Sequence, residues 1–113
     1  MLQILHNPRC GKSRVCLAFV TKSEVPFEVI HYLKNPLTVT ELEVLLRKLK
    51  IKPIELVRQK EQLWIENYKE KAMTGTAILK ALSKDPILMQ RPVIIGGNKA
   101  VIGSEINKIK NFI

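Results

Sequence analysis

Apolar residues along this chain switch between two spacings, and each switch marks an element. Leu2, Ile4 and Leu5 open a short apolar run, and residues 2–6 read as a buried strand. From about residue 10 to 22 the spacing becomes helical, with Cys16, Phe19 and Val20 at i, i+3 and i+4 on one face. Pro26 then precedes Phe27-Glu28-Val29-Ile30-His31-Tyr32-Leu33, whose alternation at its start predicts a second strand, broken by Asn35-Pro36. Strand, helix and strand in that order imply a right-handed parallel crossover. Thr38 followed three residues later by Glu41 has the form of a capping box, in which hydroxyl and carboxylate each satisfy a backbone N–H at a helix start. The helix it opens carries Leu42, Leu45, Leu46 and Leu49 on one stripe and stops before Pro53. Pro53 suits the first position of another short helix, with Ile54, Leu56 and Val57, ending near Arg58. Residues 60–73 are mixed and polar, and predict a short helix or loop around Trp64 and Tyr68. A further helix starts at Thr74 or Thr76, turns Ala77, Ile78, Ala81 and Leu82 inward, and ends at Asp85-Pro86.

The last third changes character. Val93-Ile94-Ile95 predicts a short buried strand, Gly96-Gly97-Asn98 a turn, and Ala100-Val101-Ile102 its hairpin partner. Ser104 is placed to cap a final helix with Ile106, Ile109 and Ile113 on one face. Written out, the order is β-α-β, then helices, then β-β-α, an α/β pattern. With the helical middle at about residues 38–84 set aside, it is the thioredoxin-like arrangement: a four-stranded mixed sheet with helices on both faces. The expectation is a single domain over residues 1–113 with a helical insertion between its halves.

Composition narrows the partners. A chain of 113 residues holds one real core but not two. Its 46% apolar and 26% charged residues are ordinary for a soluble domain. No apolar run approaches the ~18 residues of a membrane span, and Met1 to Leu5 is too short for a signal peptide, so a cytoplasmic protein is expected. The net charge of +9 invites nucleic acid, an acidic protein or a small anion. The basic residues are scattered and the six aromatics form no RNA-binding pattern, which turns the expectation away from nucleic acid. Cys10 and Cys16 on one helix would lie about 9 Å apart along its axis, beyond disulfide reach. Neither is spaced with His6 and His31 as a zinc set, so no metal site is expected, only two reduced thiols.

The chemistry concentrates in His6-Asn7-Pro8-Arg9-Cys10-Gly11-Lys12-Ser13-Arg14, where a strand hands over to a helix. Backbone N–H groups at a helix start are unpaired and partly positive, so the position favours thiolate over thiol and can hold an anion. A free cysteine titrates near ~8.5, and this setting should lower it. His6 could tune the thiol electrostatically, and the Ser13 hydroxyl could hydrogen-bond the thiolate. Three alternatives fail on spacing. A nucleotide P-loop needs glycine where His6 stands, a cysteine phosphatase loop needs arginine where Cys16 stands, and a dithiol needs cysteine where Ser13 stands. Cys10 is therefore a single activated thiol, whereas Cys16, on the apolar face, reads as a buried structural residue. Downstream, a cis Arg91–Pro92 bond would bring that backbone beside the Cys10 loop.

The stretch from His6 to Arg14, together with Pro86-Ile87-Leu88-Met89-Gln90-Arg91-Pro92, resembles the glutaredoxin-coupled arsenate reductase (ArsC) family. The likeness runs through Leu33-Lys34-Asn35-Pro36 and Leu56-Val57-Arg58 and covers nearly the whole chain. It implies reduction of arsenate to arsenite. Cys10 thiolate would attack arsenate to form a thiol–arsenate adduct, glutathione would attack the arsenic, and glutaredoxin would resolve the product. No bound cofactor is implied. The resemblance makes Cys10 catalytic and gives Arg58 and Arg91 the oxyanion, with His6, Asn7, Gly11, Lys12, Ser13 and Pro92 in support. Three arginines normally clamp the oxyanion in this family. The third should follow the hairpin turn, where this chain reads Lys99-Ala100-Val101-Ile102-Gly103. A charge-assisted contact is worth roughly 1.5–3 kcal/mol, so its loss weakens arsenate binding by one to two orders of magnitude. Lys99 is the cation on that strand, a point charge without the guanidinium fork. Two other readings of the same resemblance are an ArsC-fold thiol protein with another substrate and a Spx-like transcription regulator binding RNA polymerase. The regulators usually carry a second cysteine where Ser13 stands.

Overall fold

Two central strands, buried on both faces, organise the first of two compact units in the computed structural model, which describes residues 1–113. That unit comprises Met1–Asn35 with Arg91–Ile113, and the second comprises Pro36–Gln90. The strands are β1 (Leu2–Leu5), β2 (Phe27–Ile30), β3 (Val93–Gly96) and β4 (Lys99–Ile102). The helices are α1 (Gly11–Lys22), α2 (Val39–Leu49), α3 (Gln62–Asn67), α4 (Gly75–Lys84) and α5 (Ile106–Phe112).

The sheet order is β2-β1-β3-β4, parallel between β1 and β2 and antiparallel elsewhere. This is the thioredoxin-like mixed sheet. Ile4, Leu5, Val93 and Ile94 have no exposed surface, because strands paired on both sides and covered on both faces carry continuous apolar runs. Cys16 and Val20 from α1 and Ile109 from α5 pack onto Ile4 and Ile94, with Leu2, Phe19 and Phe112 around them.

Register decides where the loops emerge. Leu5 pairs with both Ile30 and Val93, and Val93 pairs with Ile102. His6 adds one more ladder bond, its N–H donating to the Ile30 carbonyl at 3.1 Å. The residues after β1, before β3 and after β4 therefore leave the sheet at one end. There the Gly103 N–H donates to the Pro92 carbonyl at 2.8 Å. A Cβ on Gly103 would lie 3.2 Å from the Ile109 side chain and 3.4 Å from the Pro92 ring, so glycine lets these segments meet.

Three expectations for this unit need correction. Strand β2 stops at Ile30 and not at Leu33, because the His31 carbonyl accepts the N–H groups of Lys34 and Asn35 and closes a turn. Tyr32 is apolar enough to look like strand, but it buries its ring from that turn. The hairpin turn is Gly97-Asn98, with Gly97 at φ 61° and Gly96 inside β3. Helix α5 begins after Glu105, and Ser104 caps nothing. On that helix Ile109 is buried and Phe112 packs on the core, while Ile106 and Ile113 are exposed.

The second unit is helical, with 3-10 turns at Pro53–Leu56 and Pro86–Leu88. The capping box at Thr38 forms as expected. Glu41 N–H donates to Thr38 Oγ1 at 3.1 Å, and Thr38 N–H donates to Glu41 Oε1 at 3.0 Å. Leu42, Leu45 and Leu46 are buried, and Leu49 is half-buried. Thr74, not Thr76, caps α4, which buries Leu79 besides Ile78, Ala81 and Leu82 and leaves Ala77 half-buried. Val57 leaves the expected helix to bridge Met89, and the Arg58 N–H donates to the Leu88 carbonyl at 2.7 Å. Trp64 stacks on Tyr68 at 5.3 Å in and beside the short α3. No helix is long and apolar enough to cross a membrane.

The capping box gives a stability test. Thr38→Ala should cost about 1 kcal/mol, read as a lower urea midpoint at unchanged slope. Thr76→Ala, at the second position of α4 and exposed, should stay within about 0.5 kcal/mol of wild type.

Candidate active site

His6 is the last residue bonded to the sheet, and Asn7 turns the chain away from it. The Asn7 side-chain oxygen accepts the Arg9 N–H at 3.0 Å, and its carbonyl accepts the Cys10 N–H at 3.0 Å. Cys10 then stands in extended conformation at the cap position of α1, its carbonyl accepting the Arg14 N–H at 3.0 Å. Arg14 closes the loop from the other side by donating from Nη1 to the Pro8 carbonyl at 3.0 Å. The loop is thus fixed by its own backbone and by two polar side chains.

The Cys10 thiol is half-buried and closes no capping bond as a neutral group. Its pKa is nevertheless held below the ordinary thiol value. Burial, the largest single influence, opposes ionisation. Hydrogen bonding from the Arg91 side chain, then from the backbone N–H groups of Ser13 and Lys12, and finally the Arg91 charge together outweigh it. Cys16 has the burial without the donors. It has no exposed surface, and its thiol is pushed up to about 11.

Ser13 does something other than expected. It is fully buried, its Oγ lies 2.7 Å from His6 Nδ1, and it accepts the Asn7 N–H at 3.0 Å. The hydroxyl is committed to these partners, so only the backbone of Ser13 serves the thiolate. His6 differs as well. Burial, then the neighbouring charges of His31 and Arg14, lower its pKa, and a neutral imidazole supplies no field to activate a thiol. His6, Asn7 and Ser13 form one buried polar cluster that holds the loop. A sign of it was in the sequence, because Ser13, Cys16 and Val20 fall at i, i+3 and i+7 on the inner face of α1.

The first unit brings together Cys10, His6, Asn7, Gly11, Lys12, Ser13, Arg91 and Pro92, and the Arg91–Pro92 bond is cis. Arg58 belongs to the second unit, where its Nη1 pairs with Glu61 Oε2 at 2.7 Å. Lys99 is no stand-in for the absent arginine. It pairs with Gly96, about 10 Å along β4 from the end where Ile102 meets Val93.

The ArsC family model matches residues 5–112. The "Uncharacterized protein YfgD" of Escherichia coli (strain K12) is 38% identical over 104 residues, covering 90% of this chain and 87% of that protein. An arsenate reductase of Neisseria meningitidis is 31% identical over 111 residues, covering 96% and 95% of the two chains. Among solved structures, the arsenate reductase from Vibrio cholerae superposes with a TM-score of 0.93 at 29% identity, covering 99% of this chain and 97% of that one.

Thiolate absorbance should therefore titrate Cys10 below the ordinary thiol range, and Arg91→Leu should raise that pKa and slow alkylation by iodoacetamide at pH 7. Ser13→Ala should leave the titration in place but lower stability by about 1–3 kcal/mol, because it strands buried polar partners. A rise in pKa in Ser13→Ala as large as in Arg91→Leu would contradict this division. His6 adds a pH term of definite sign. Unfolded imidazole takes a proton near ~6.5 and the folded one only at lower pH, so stability present above ~6.5 is lost as pH falls through the folded pKa. Urea midpoints measured across that window should show a shallower loss in His6→Asn.

Proposed function

Because this chain belongs to the ArsC family, we propose that it is a thiol-dependent reductase that converts arsenate to arsenite, with Cys10 as nucleophile and glutathione and glutaredoxin as the source of electrons. The observation that carries the proposal is the thiol at the cap of α1, whose charged form is favoured by Arg91 and by the N–H groups of Ser13 and Lys12. The thiolate is the attacking form of cysteine, and the same donors suit a tetrahedral oxyanion held against it.

Cys10 thiolate attacks arsenic, an As–O bond breaks, and the oxygen leaves as water after protonation; arsenic stays pentavalent. Glutathione thiolate attacks the same arsenic, and a second oxygen leaves as water. Glutaredoxin thiolate then attacks the glutathione sulfur. The As–S bonding pair stays on arsenic, which becomes trivalent, and a mixed disulfide departs. Water releases arsenite and returns the Cys10 thiol. Two thiols supply the two electrons.

Arg91 is the cation for the oxyanion, and the backbone at Gly11, Lys12 and Ser13 supplies neutral donors. His6 and Asn7 hold the loop, and Pro92 fixes the segment that presents Arg91. Arg58, to which the resemblance gives an oxyanion role, stands in the second unit with its guanidinium paired to Glu61. External thiols are needed because Cys16 is buried and pushed up to about 11, unfit to resolve an adduct on Cys10.

Arsenite formation with glutathione and glutaredoxin should vanish in Cys10→Ser, by at least about a thousandfold, as expected when a covalent nucleophile is lost. It should persist in Cys16→Ser. Wild-type protein that makes no arsenite at saturating arsenate would sink the proposal.

A further inference from the structure

An adduct on Cys10 needs a second thiol delivered to it, and the first unit shapes a place beside the loop. A groove of about 510 Å³ runs between α1 and the segment from β4 into α5. Gly11, Val15 and Ala18 line one wall at i, i+4 and i+7, the outward stripe of α1 opposite its buried Ser13-Cys16-Val20 stripe. Gly103, Ile106 and Ile109 line the other, and Lys12 and Arg14 add two cationic side chains. Val15 is 57% exposed and Ile106 37%, where a merely solvated surface would favour polar residues. The groove is tied to the site twice. Gly11 and Lys12 directly follow Cys10, and Gly103 bonds the carbonyl of Pro92, next to Arg91.

We infer that this groove docks the resolving thiol as a small anionic peptide thiol, its carboxylates met by Lys12 and Arg14 and its apolar parts laid on Val15 and Ile106. The inference rests on the reductase proposal and names where the second reactant sits. Three observations select this occupant. The volume falls within the ~300–1,000 Å³ of small-ligand sites. The lining is mostly apolar with two cations, and the first turn of α1 carries no acidic residue to repel an anion. The chain's other thiol, Cys16, is sealed in the core. The docked thiolate attacks the arsenic of the Cys10 adduct, an As–O bond breaks, and the oxygen leaves as water.

Steady-state kinetics at saturating arsenate, with glutathione varied, test the site. Val15→Glu and Ile106→Glu, both at exposed positions, should each raise the KM for glutathione about tenfold or more by placing a like charge against the anion. Val15→Lys should raise it far less. The iodoacetamide rate of Cys10 should match wild type in all three, which reports an intact loop. Independently of any turnover, S-methylglutathione added to wild type should shift the backbone amide NMR signals of Gly11, Val15, Gly103 and Ile106. Arsenite formation with unshifted amides and an unchanged KM would overturn the groove and spare the reductase. Shifted amides without arsenite would spare the groove as a binding site and sink the reductase. If the glutamate variants raise the KM for glutaredoxin and not for glutathione, the groove serves a protein thiol and the inference fails.

Discussion

A charged sulfur in a half-buried position is unfavourable unless donors surround it, and most of what is built around Cys10 answers that constraint. Burial alone sends a thiol upward in pKa, as Cys16 shows six residues away on the same helix. Cys10 moves the other way because Arg91 and two backbone N–H groups reach the sulfur together. Backbone donors act only if the loop is held still. That task falls to the buried hydroxyl of Ser13, shared between His6 and the Asn7 N–H. The sheet register supplies the rest, because pairing Leu5 with Val93 starts β3 beside the end of β1 and so fixes where Arg91 and Pro92 begin.

Much of this could be read before any coordinates. Spacing alone located the four strands and all but the weakest helix, since alternation and 3.6-residue periodicity are strong where one face is buried. It failed where apolar residues serve a turn. Tyr32 and Leu33 look like strand, yet the His31 carbonyl closes a turn beneath them. It failed again at Ser104, because a hydroxyl ahead of an apolar run does not reveal whether backbone dihedrals permit a cap.

The candidate site was legible in its residues and less so in their roles. Cys10 at a helix start is a local pattern, and local patterns survive folding. A cis Arg91–Pro92 bond already puts that backbone beside the loop, whereas the role of the Arg91 side chain depends on strand order and follows only from the resemblance. Ser13 lies close to the thiol in sequence, but its side chain belongs to the core face that it shares with Cys16 and Val20. Lys99 shows the same limit from the other side. Its charge is right, but register carries it to the far end of β4. The space beside α1 is lined by small and apolar residues together with Lys12 and Arg14, and by none of β4.

The sealing of Cys16 has one more consequence. A thiolate attacked by peroxide passes to sulfenic acid, and many thiol enzymes halt there by closing a disulfide with a nearby cysteine. Here the neighbour is locked in the core with no exposed surface. Oxidised Cys10 has no internal thiol to pair with, so a disulfide that stops its advance to the irreversible sulfinic and sulfonic acids needs a thiol from outside. The features that make the sulfur a good nucleophile thus leave the protein's working lifetime in the hands of the surrounding thiol pool.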